Sequence, residues 1–300
     1  MQNNIKPEKP YVVIFIPALN EEGAIGGVIK KIIELYQNSP LFNMDIIVID
    51  DGSVDMTGKI ALGSGAKKVI RHPANRGLGA STRTGLQRAL EMGADIAVKI
   101  DADFQHDPQD IEKVVRPIIE DVADVVFGSR FLGEIKYRMP LHRRWGNRFF
   151  SFLVTKSTGL KITDGQTGLM AFSWRYLKDF DIISDYNETQ QLIIDAWSRH
   201  MRIIEVPVVF HPRKSGKSFI SFRYPIKVLP TLLRFMVTVN PLKIFLPLGL
   251  FLILMGIFFM FLVLFRQTAV AGKVGMAVLL IGGLQVIMLG LLADAVSNKR

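Results

Sequence analysis

The chain has no cysteine. That rules out disulfides and thiolate metal sites, and it suits a reducing compartment. Acid is also scarce: 27 Asp and Glu face 37 Lys and Arg, for a formal net charge of +10. Such an excess is compatible with nucleic acid, but much of it lies between Arg130 and Lys243, just before an apolar tract. Cations placed there fit anionic lipid and phosphate ligands, so no nucleic-acid partner is expected. The first ten residues are polar and include two prolines, so no signal peptide is read there. Internal repeats and low-complexity tracts are missing.

Two phosphate loops are missing as well. Gly52 to Gly58-Lys59 has five intervening residues where a P-loop has four, and Ile60 stands where Ser or Thr belongs. Gly77-Leu78-Gly79-Ala80-Ser81-Thr82 lacks the last glycine of a dinucleotide fingerprint and follows the third apolar run, not the first. Neither a P-loop NTPase nor a Rossmann dehydrogenase is supported.

Long uncharged runs are present. Residues 244–265 and 274–293 carry no charge over 22 and 20 positions. Each is long enough for a hydrocarbon core of about 30 Å. A loop of about eight residues joins them, so they pair as a hairpin with both ends on one side. The Lys/Arg bias makes that side the cytoplasm. The expectation is a multi-pass plasma-membrane protein with its catalytic domain and both termini cytoplasmic. Before the hairpin, Phe222, Ile226, Leu229, Leu232, Leu233 and Met236 recur at helical spacing among Arg223, Lys227 and Arg234, broken by Pro225 and Pro230. This reads as amphipathic helix lying on a membrane surface.

From residue 11 to about 127 the pattern alternates. Short apolar, β-rich runs at 11–16, 46–49, 68–70, 96–100 and 125–127 enclose helix-like segments near 22–37, 55–64, 79–92 and 108–121. Strand and helix at this spacing predict a mostly parallel sheet covered on both faces. Residues 203–210 read as a further strand. Ligands of such sheets bind beyond the carboxyl ends of the strands, so the informative residues follow each run.

After the fourth run comes KIDADFQHDP, residues 99–108. In extended chain, residues i and i+2 point the same way, so Asp101 and Asp103 can converge, and Gln105 too if the extension persists. Hard oxygen ligands suit Mg²⁺ or Mn²⁺, which also bind diphosphate oxygens. Asp107-Pro108 reads as a helix N-cap with proline at the first position, and His106 as a loop histidine. Asp50-Asp51 ends the second run. One reading has a carboxylate accepting from a base N–H or ribose hydroxyl; the other is an Asx turn with Gly52 and capping by Ser53 or Asp55.

PALNEE at 17–22, VIDDGSVD at 48–55, NRGLGAS at 75–81, DADFQHDP at 101–108 and FGSR at 127–130, in that order, resemble the inverting GT-A glycosyltransferases of family 2. PLHRRWGN at 140–147, DGQTGLMAF at 164–172 and EVPVVFHPRKSGKS at 205–218 resemble its polyprenyl-phosphate branch, which contains dolichol-phosphate mannose synthases and bactoprenol-phosphate glucosyltransferases. The resemblance covers about residues 11–220. It implies an α/β, Rossmann-like GT-A domain over 1–217, juxtamembrane amphipathic helices over 218–241 and the two-span hairpin over 242–300.

The resemblance also implies roles. Pro17, Ala18, Asn20 and Glu22 line a nucleotide-sugar pocket with Asp50, Asp51, Asp101 and Ala102. Asp101, Asp103 and Gln105 hold the metal, Mg²⁺ or Mn²⁺, on the donor diphosphate. Arg130, Arg143, Arg213 and Lys217 engage phosphates, with Ser218 ending the G-x-S motif. Asp164 and Gln166 sit near the transferred sugar or the acceptor. Asp103, Arg130, Arg143, Asp164 and Gln166 make the catalytic set. The implied partners are a nucleotide-diphosphate sugar, polyprenyl phosphate and the bilayer; self-association is left open. Where family members act on sugar hydroxyls, an acidic base motif stands near Asn187-Glu188-Thr189, and only Glu188 remains of it here. A lipid phosphate is already ionised and needs cations more than a base. Two rival readings are a family 2 transferase acting on a diacyl lipid or polysaccharide, with Glu188 as base, and a non-catalytic nucleotide-sugar-binding membrane subunit.

Overall fold

The computed structural model describes residues 9–182, 185, 188–212, 241–266 and 270–297. Arg213, Lys217, Ser218 and the amphipathic segment over 219–240 lie outside the described residues, as does the side chain of Arg143. The chain forms two compact units, Met1–Val228 and Leu229–Arg300.

The first unit is an α/β layer structure. In chain order it runs β1 (Tyr11–Ala18), α1 (Ile25–Tyr36), β2 (Asn43–Asp50), α2 (Thr57–Gly63), β3 (Lys68–Arg71), α3 (Leu78–Glu91), β4 (Ile96–Lys99), a 3₁₀ turn (Pro108–Asp110) and α4 (Ile111–Ile119). Then come β5 (Val125–Ile135), α5 (Leu141–Thr158), β6 (Met170–Ser173), α6 (Trp174–Leu177), α7 (Glu188–Ser198) and β7 (Ile203–Phe210). The strands form one sheet in the order β3-β2-β1-β4-β6-β5-β7. Every neighbouring pair is parallel except those of β6, which runs antiparallel to both β4 and β5.

Burial explains the pattern. Val12 to Ala18 of β1 are buried without interruption, as expected of a central strand covered on both faces. Helix α1 turns Ile25, Val28, Ile29, Ile32 and Tyr36 inward, the i, i+3, i+4, i+7 spacing of one helix face. Helix α3 comes so close to β1 that a Cβ at Gly85 would sit 2.2 Å from Phe15 Cδ2. Asp107 caps the 3₁₀ turn by accepting from Gln109 N, with Pro108 at the first position, as the sequence predicts. Two features exceed the sequence reading. Strand β5 runs on to Ile135, shifting register against β7 between Ser129 and Glu134. Strand β6 falls in a stretch where no strand was expected.

The second unit is a pair of long apolar helices, α8 (Leu242–Arg266) and α9 (Val270–Ser297). Segments 242–263 and 273–295 are long and apolar enough to cross a membrane. Glycine lets the two backbones touch: a Cβ at Gly249 would lie 2.8 Å from Gly283 O, and one at Gly283 equally close to Gly249 O. Close approach through small residues is how helices pack where lipid removes the hydrophobic drive.

Candidate active site

The acidic motifs gather along one edge of the sheet, beyond the carboxyl ends of β1, β2 and β4. There the turns after β1 and β2 are sewn together. Asn20 adopts the left-handed conformation (φ 54°), donates its amide to Ser53 Oγ at 3.0 Å and accepts from Val54 N at 2.9 Å. Glu22 accepts from Met56 N at 3.0 Å. Pro17 and Ala18 end β1 as buried residues, with Ala18 paired to Asp50. Asp50 Oδ1 accepts from Ser53 N at 2.8 Å, so this carboxylate ties its own turn, the second of its two readings.

Asp51 is buried and organises the next loop. Its Oδ1 meets His72 Nδ1 at 2.7 Å and Arg76 N at 3.0 Å; its Oδ2 accepts from Gly77 N at 2.8 Å. His72 Nε2 in turn lies 3.0 Å from Thr84 Oγ1. Asp51 therefore holds loop 72–77 against the start of α3.

The turn after β4 corrects an expectation. Extended geometry stops at Lys99, and Phe104 is left-handed (φ 60°). Strand alternation consequently does not set Asp101, Asp103 and Gln105 on one face; they share a tight turn. Asp103 Oδ1 accepts from Gln105 N at 2.9 Å. The Gln105 carbonyl accepts from His211 N at 2.7 Å, and His106 forms a bridge with Phe210, so the turn is pinned to the end of β7. Two carboxylates on one turn are still a hard-oxygen donor set that Mg²⁺ or Mn²⁺ can use. Among the described residues, no group of three or more His, Cys, Asp or Glu gathers as a metal cluster.

Lys99 is the residue that sequence reasoning passed over. It is fully buried, with Nζ 2.9 Å from Asp101 Oδ1 and 3.5 Å from Glu188 Oε1. Burial would lower its pKa, but Asp101 and Glu188 outweigh burial and raise it. Burial would likewise raise the Asp101 carboxyl, yet Lys99 holds it below the ordinary range. For Glu188, burial outweighs Lys99 and pushes the carboxyl up. A lysine ending the otherwise apolar run Ile96-Ala97-Val98 was the available signal.

Because β6 is reversed, the loop that precedes it, residues 163–169, enters the sheet at this same edge, next to the ends of β4 and β5. Gly168 lies against Asp101: a Cβ there would be 1.8 Å from Asp101 Oδ2, so only glycine permits the approach. Gly168 N donates to His106 Nε2 at 3.0 Å. Burial lowers the His106 pKa to about 4, so the ring is neutral and carries its proton on Nδ1. His106 is thus a buried strut between two loops.

The same loop carries Asp164, fully buried, in a bidentate pair with Arg130. Nε meets Oδ2 at 2.6 Å and Nη2 meets Oδ1 at 2.7 Å. Nη2 also donates to Gln166 O at 2.8 Å, and the guanidinium stacks 4.7 Å from the Phe210 ring centre. Burial favours the neutral acid, but Arg130 outweighs it and keeps the Asp164 carboxyl low. Arg130 therefore fixes the loop that carries Asp164 and Gln166. Glu205 braces the loop from β7, accepting from Thr163 N at 2.8 Å and Asp164 N at 2.9 Å. Thr189 of α7 donates to Thr167 O at 3.1 Å. His72 and Glu205 were missed because their partners are distant in sequence, and His106, read as a loop histidine, is buried against a loop 62 residues away.

Residues 13–180 match the family described as Glycosyl transferase family 2. The chain belongs to this family. Residues 240–298 match a second family, the GtrB C-terminal hairpin, which spans α8 and α9. This family 2 member is a transferase anchored in a membrane by its C-terminal hairpin. It is 38% identical over 220 residues to UDP-N-acetylglucosamine--dolichyl-phosphate N-acetylglucosaminyltransferase of Methanococcus voltae, covering 66% of this chain and 84% of that one. It is 28% identical over 222 residues to undecaprenyl-phosphate mannosyltransferase of Micrococcus luteus, covering 70% and 87%. Among solved structures, glucosyl-3-phosphoglycerate synthase of Mycobacterium tuberculosis, in complex with Mn²⁺, UDP-glucose and phosphoglyceric acid, superposes with a TM-score of 0.60. The two are 22% identical, over 76% of this chain and 80% of that one. That likeness fixes the fold as GT-A-like.

Proposed function

We propose that this transferase moves a hexose from a nucleotide-diphosphate sugar to polyprenyl phosphate at the cytoplasmic face of the membrane, inverting the anomeric carbon. GDP-mannose and UDP-glucose are the donors of the right class. The product is a lipid-linked sugar for glycan assembly. Relatives named for dolichyl and undecaprenyl phosphate support the acceptor class.

One observation carries the reading. The carboxylate that a hydroxyl acceptor would need as its base, Glu188, is buried and faces Lys99. A phosphate monoester is an anion at neutral pH and can attack without surrendering a proton. It needs cations to offset its repulsion from the donor diphosphate. Arg143, Arg213 and Lys217, with Ser218, are the residues proposed to hold it. Arg130 acts through Asp164, fixing the loop that carries Gln166 beside the transferred sugar. The seam of Pro17, Ala18, Asn20, Glu22 and Asp50, together with the loop held by Asp51, forms the nucleotide pocket, closed by Ala102.

Asp101 and Asp103, with Gln105 on the same turn, are the residues that would hold Mg²⁺ or Mn²⁺. Such an ion, when bound, offsets the charge of the departing nucleoside diphosphate. Lys99 keeps Asp101 ionised and in place for that duty.

The test is transfer of radiolabelled sugar into lipid extract with Mg²⁺ or Mn²⁺. Asp103→Ala is expected to abolish transfer, and undiminished activity would remove the metal role. Glu188→Gln is expected to keep measurable turnover with polyprenyl phosphate. Complete loss in that variant, with the fold intact, would favour a hydroxyl acceptor instead.

A further inference from the structure

Lys99 stands between two carboxylates of unequal access. It ends β4, where it pairs with Phe15 of β1 and Met170 of β6. Its side chain has no exposure, so the ammonium is confined to the groups that share its cavity. Nζ lies 2.9 Å from Asp101 Oδ1 and 3.5 Å from Glu188 Oε1. The Asp101 side chain is 32% exposed and that of Glu188 only 7%. Of the two acids, Asp101 is the one open to an ion arriving from solvent.

Both acids are held where they are. Asp101 is hemmed in by Gly168, where even a Cβ would lie 1.8 Å from Oδ2. Glu188 is the first residue of α7, and Thr189 Oγ1 ties that helix end to the same loop by donating to Thr167 O at 3.1 Å. The backbone dipole also favours a carboxylate in a first helical turn. The adaptable member is the lysine, a compact charge on a flexible stem with three rotatable donors. This group is one cation short, since two carboxylates share one ammonium. The shorter contact goes to Asp101, so Glu188 is the undersupplied partner. Burial outweighs Lys99 there and pushes the Glu188 carboxyl up.

We propose that Glu188 is a positioning residue for the metal site: it takes the Lys99 ammonium over from Asp101 and so frees Asp101 to ligate a divalent ion. Before an ion binds, Lys99 neutralises Asp101. Once Asp101 gives its charge to the ion, the ammonium turns to Glu188, which already lies within ion-pair reach. Without Glu188 the lysine loses the partner it turns to, and it competes with the ion for Asp101. A role is thereby assigned to an acid that a phosphate acceptor does not need as a base. The hand-over rests on Asp101 and Asp103 being the metal-holding pair, and the experiment separates the two.

Mn²⁺ binding to the purified full-length protein, read by electron paramagnetic resonance, is compared in wild type, Glu188→Gln, Lys99→Met and the double variant. Glu188→Gln is expected to weaken Mn²⁺ several-fold. In the Lys99→Met background the same change is expected to have little effect, because Glu188 acts through the lysine. Equal losses in both backgrounds would reduce Glu188 to a nearby negative charge and overturn the proposal, as would wild-type affinity in Glu188→Gln. Asp103→Ala reads the metal assignment by itself. If wild type and Asp103→Ala take up Mn²⁺ alike, that assignment fails and the hand-over with it; if Asp103→Ala alone loses Mn²⁺, only the hand-over falls. A structure of the full-length protein with Mn²⁺ and a nucleoside diphosphate serves should Lys99→Met fail to fold. Nζ is expected there to lie nearer Glu188 than Asp101, and an ion on Asp101 with the present order of distances kept would overturn the proposal. Transfer by Glu188→Gln is expected to demand more Mn²⁺ than wild type. Transfer lost at every Mn²⁺ concentration, with the ion still bound, would make Glu188 a base and overturn this role.

Discussion

Replacing Lys99 with methionine isolates the buried ion bridge. The native group contains one ammonium and two carboxylates, Asp101 at 2.9 Å and Glu188 at 3.5 Å, around a side chain with no exposure. Methionine fills much the same volume and removes the charge. Two carboxylates, the partly exposed Asp101 and the buried Glu188, are then left with no cation between them. Orphaning a buried charge in this way costs about 3–5 kcal/mol. For a domain of this size that corresponds to a fall of roughly 6–20 °C in melting temperature. The double variant Lys99→Met/Glu188→Gln removes one of the orphaned charges. It is expected to recover about 1–3 kcal/mol of the loss, the coupling usual for residues in contact. Thermal unfolding of the detergent-solubilised full chain, followed by near-ultraviolet circular dichroism, reads both quantities. A single variant within about 1 kcal/mol of wild type, or a double variant as unstable as the two singles summed, would refute the bridge.

Three further outcomes follow from the same geometry. Gly168→Ala puts a methyl group 1.8 Å from Asp101 Oδ2, so the carboxylate must move; Mn²⁺ binding measured by electron paramagnetic resonance should weaken, at a cost in stability of about 1–3 kcal/mol from overpacking. Asp164→Asn removes the partner of the buried Arg130 guanidinium, and a loss of about 3–5 kcal/mol in denaturant unfolding is expected. Hydrogen bonds from Arg202, among them Nε to Asp124 Oδ2 at 3.0 Å, hold the Asp124 carboxyl below its ordinary range against burial. A depressed folded pKa gives stability that is present above about pH 4, the unfolded value, and is lost as pH falls through the folded one. Arg202→Met should therefore start acid unfolding at a higher pH, and an unchanged acid limb would disprove it.

Much of this was legible beforehand for a physical reason. Parallel strands buried on both faces are written as apolar runs, and open sheets present their chemistry at strand ends, so the order of motifs mapped onto β1, β2, β4 and β5 directly. The hairpin was legible because hydrocarbon tolerates no charge over its thickness. What stayed hidden depends on distant residues meeting. Met170 to Ser173 is too short to announce a strand and pairs only because β4 and β5 leave a gap of one strand. No local pattern announces that Arg130 pairs with Asp164, or that Asp51 meets His72 and the amides of Arg76 and Gly77. The strand ends at Lys99, and the extension that would carry Gln105 onto the same face is broken at Phe104, whose left-handed backbone no periodicity announces.

The lone reversed strand bears on how such an enzyme can diversify. Residues 163–169 reach the reactive edge only because β6 runs against its neighbours, and they touch the acidic turn on one side and the brace from β7 on the other. A change in the length of that short connection would disturb the acidic turn and the Arg130–Asp164 pair together. On the proposed function, new sugar preferences are then more readily acquired in the turns of the first three strands, with the segment ahead of β6 left as a common hinge pin.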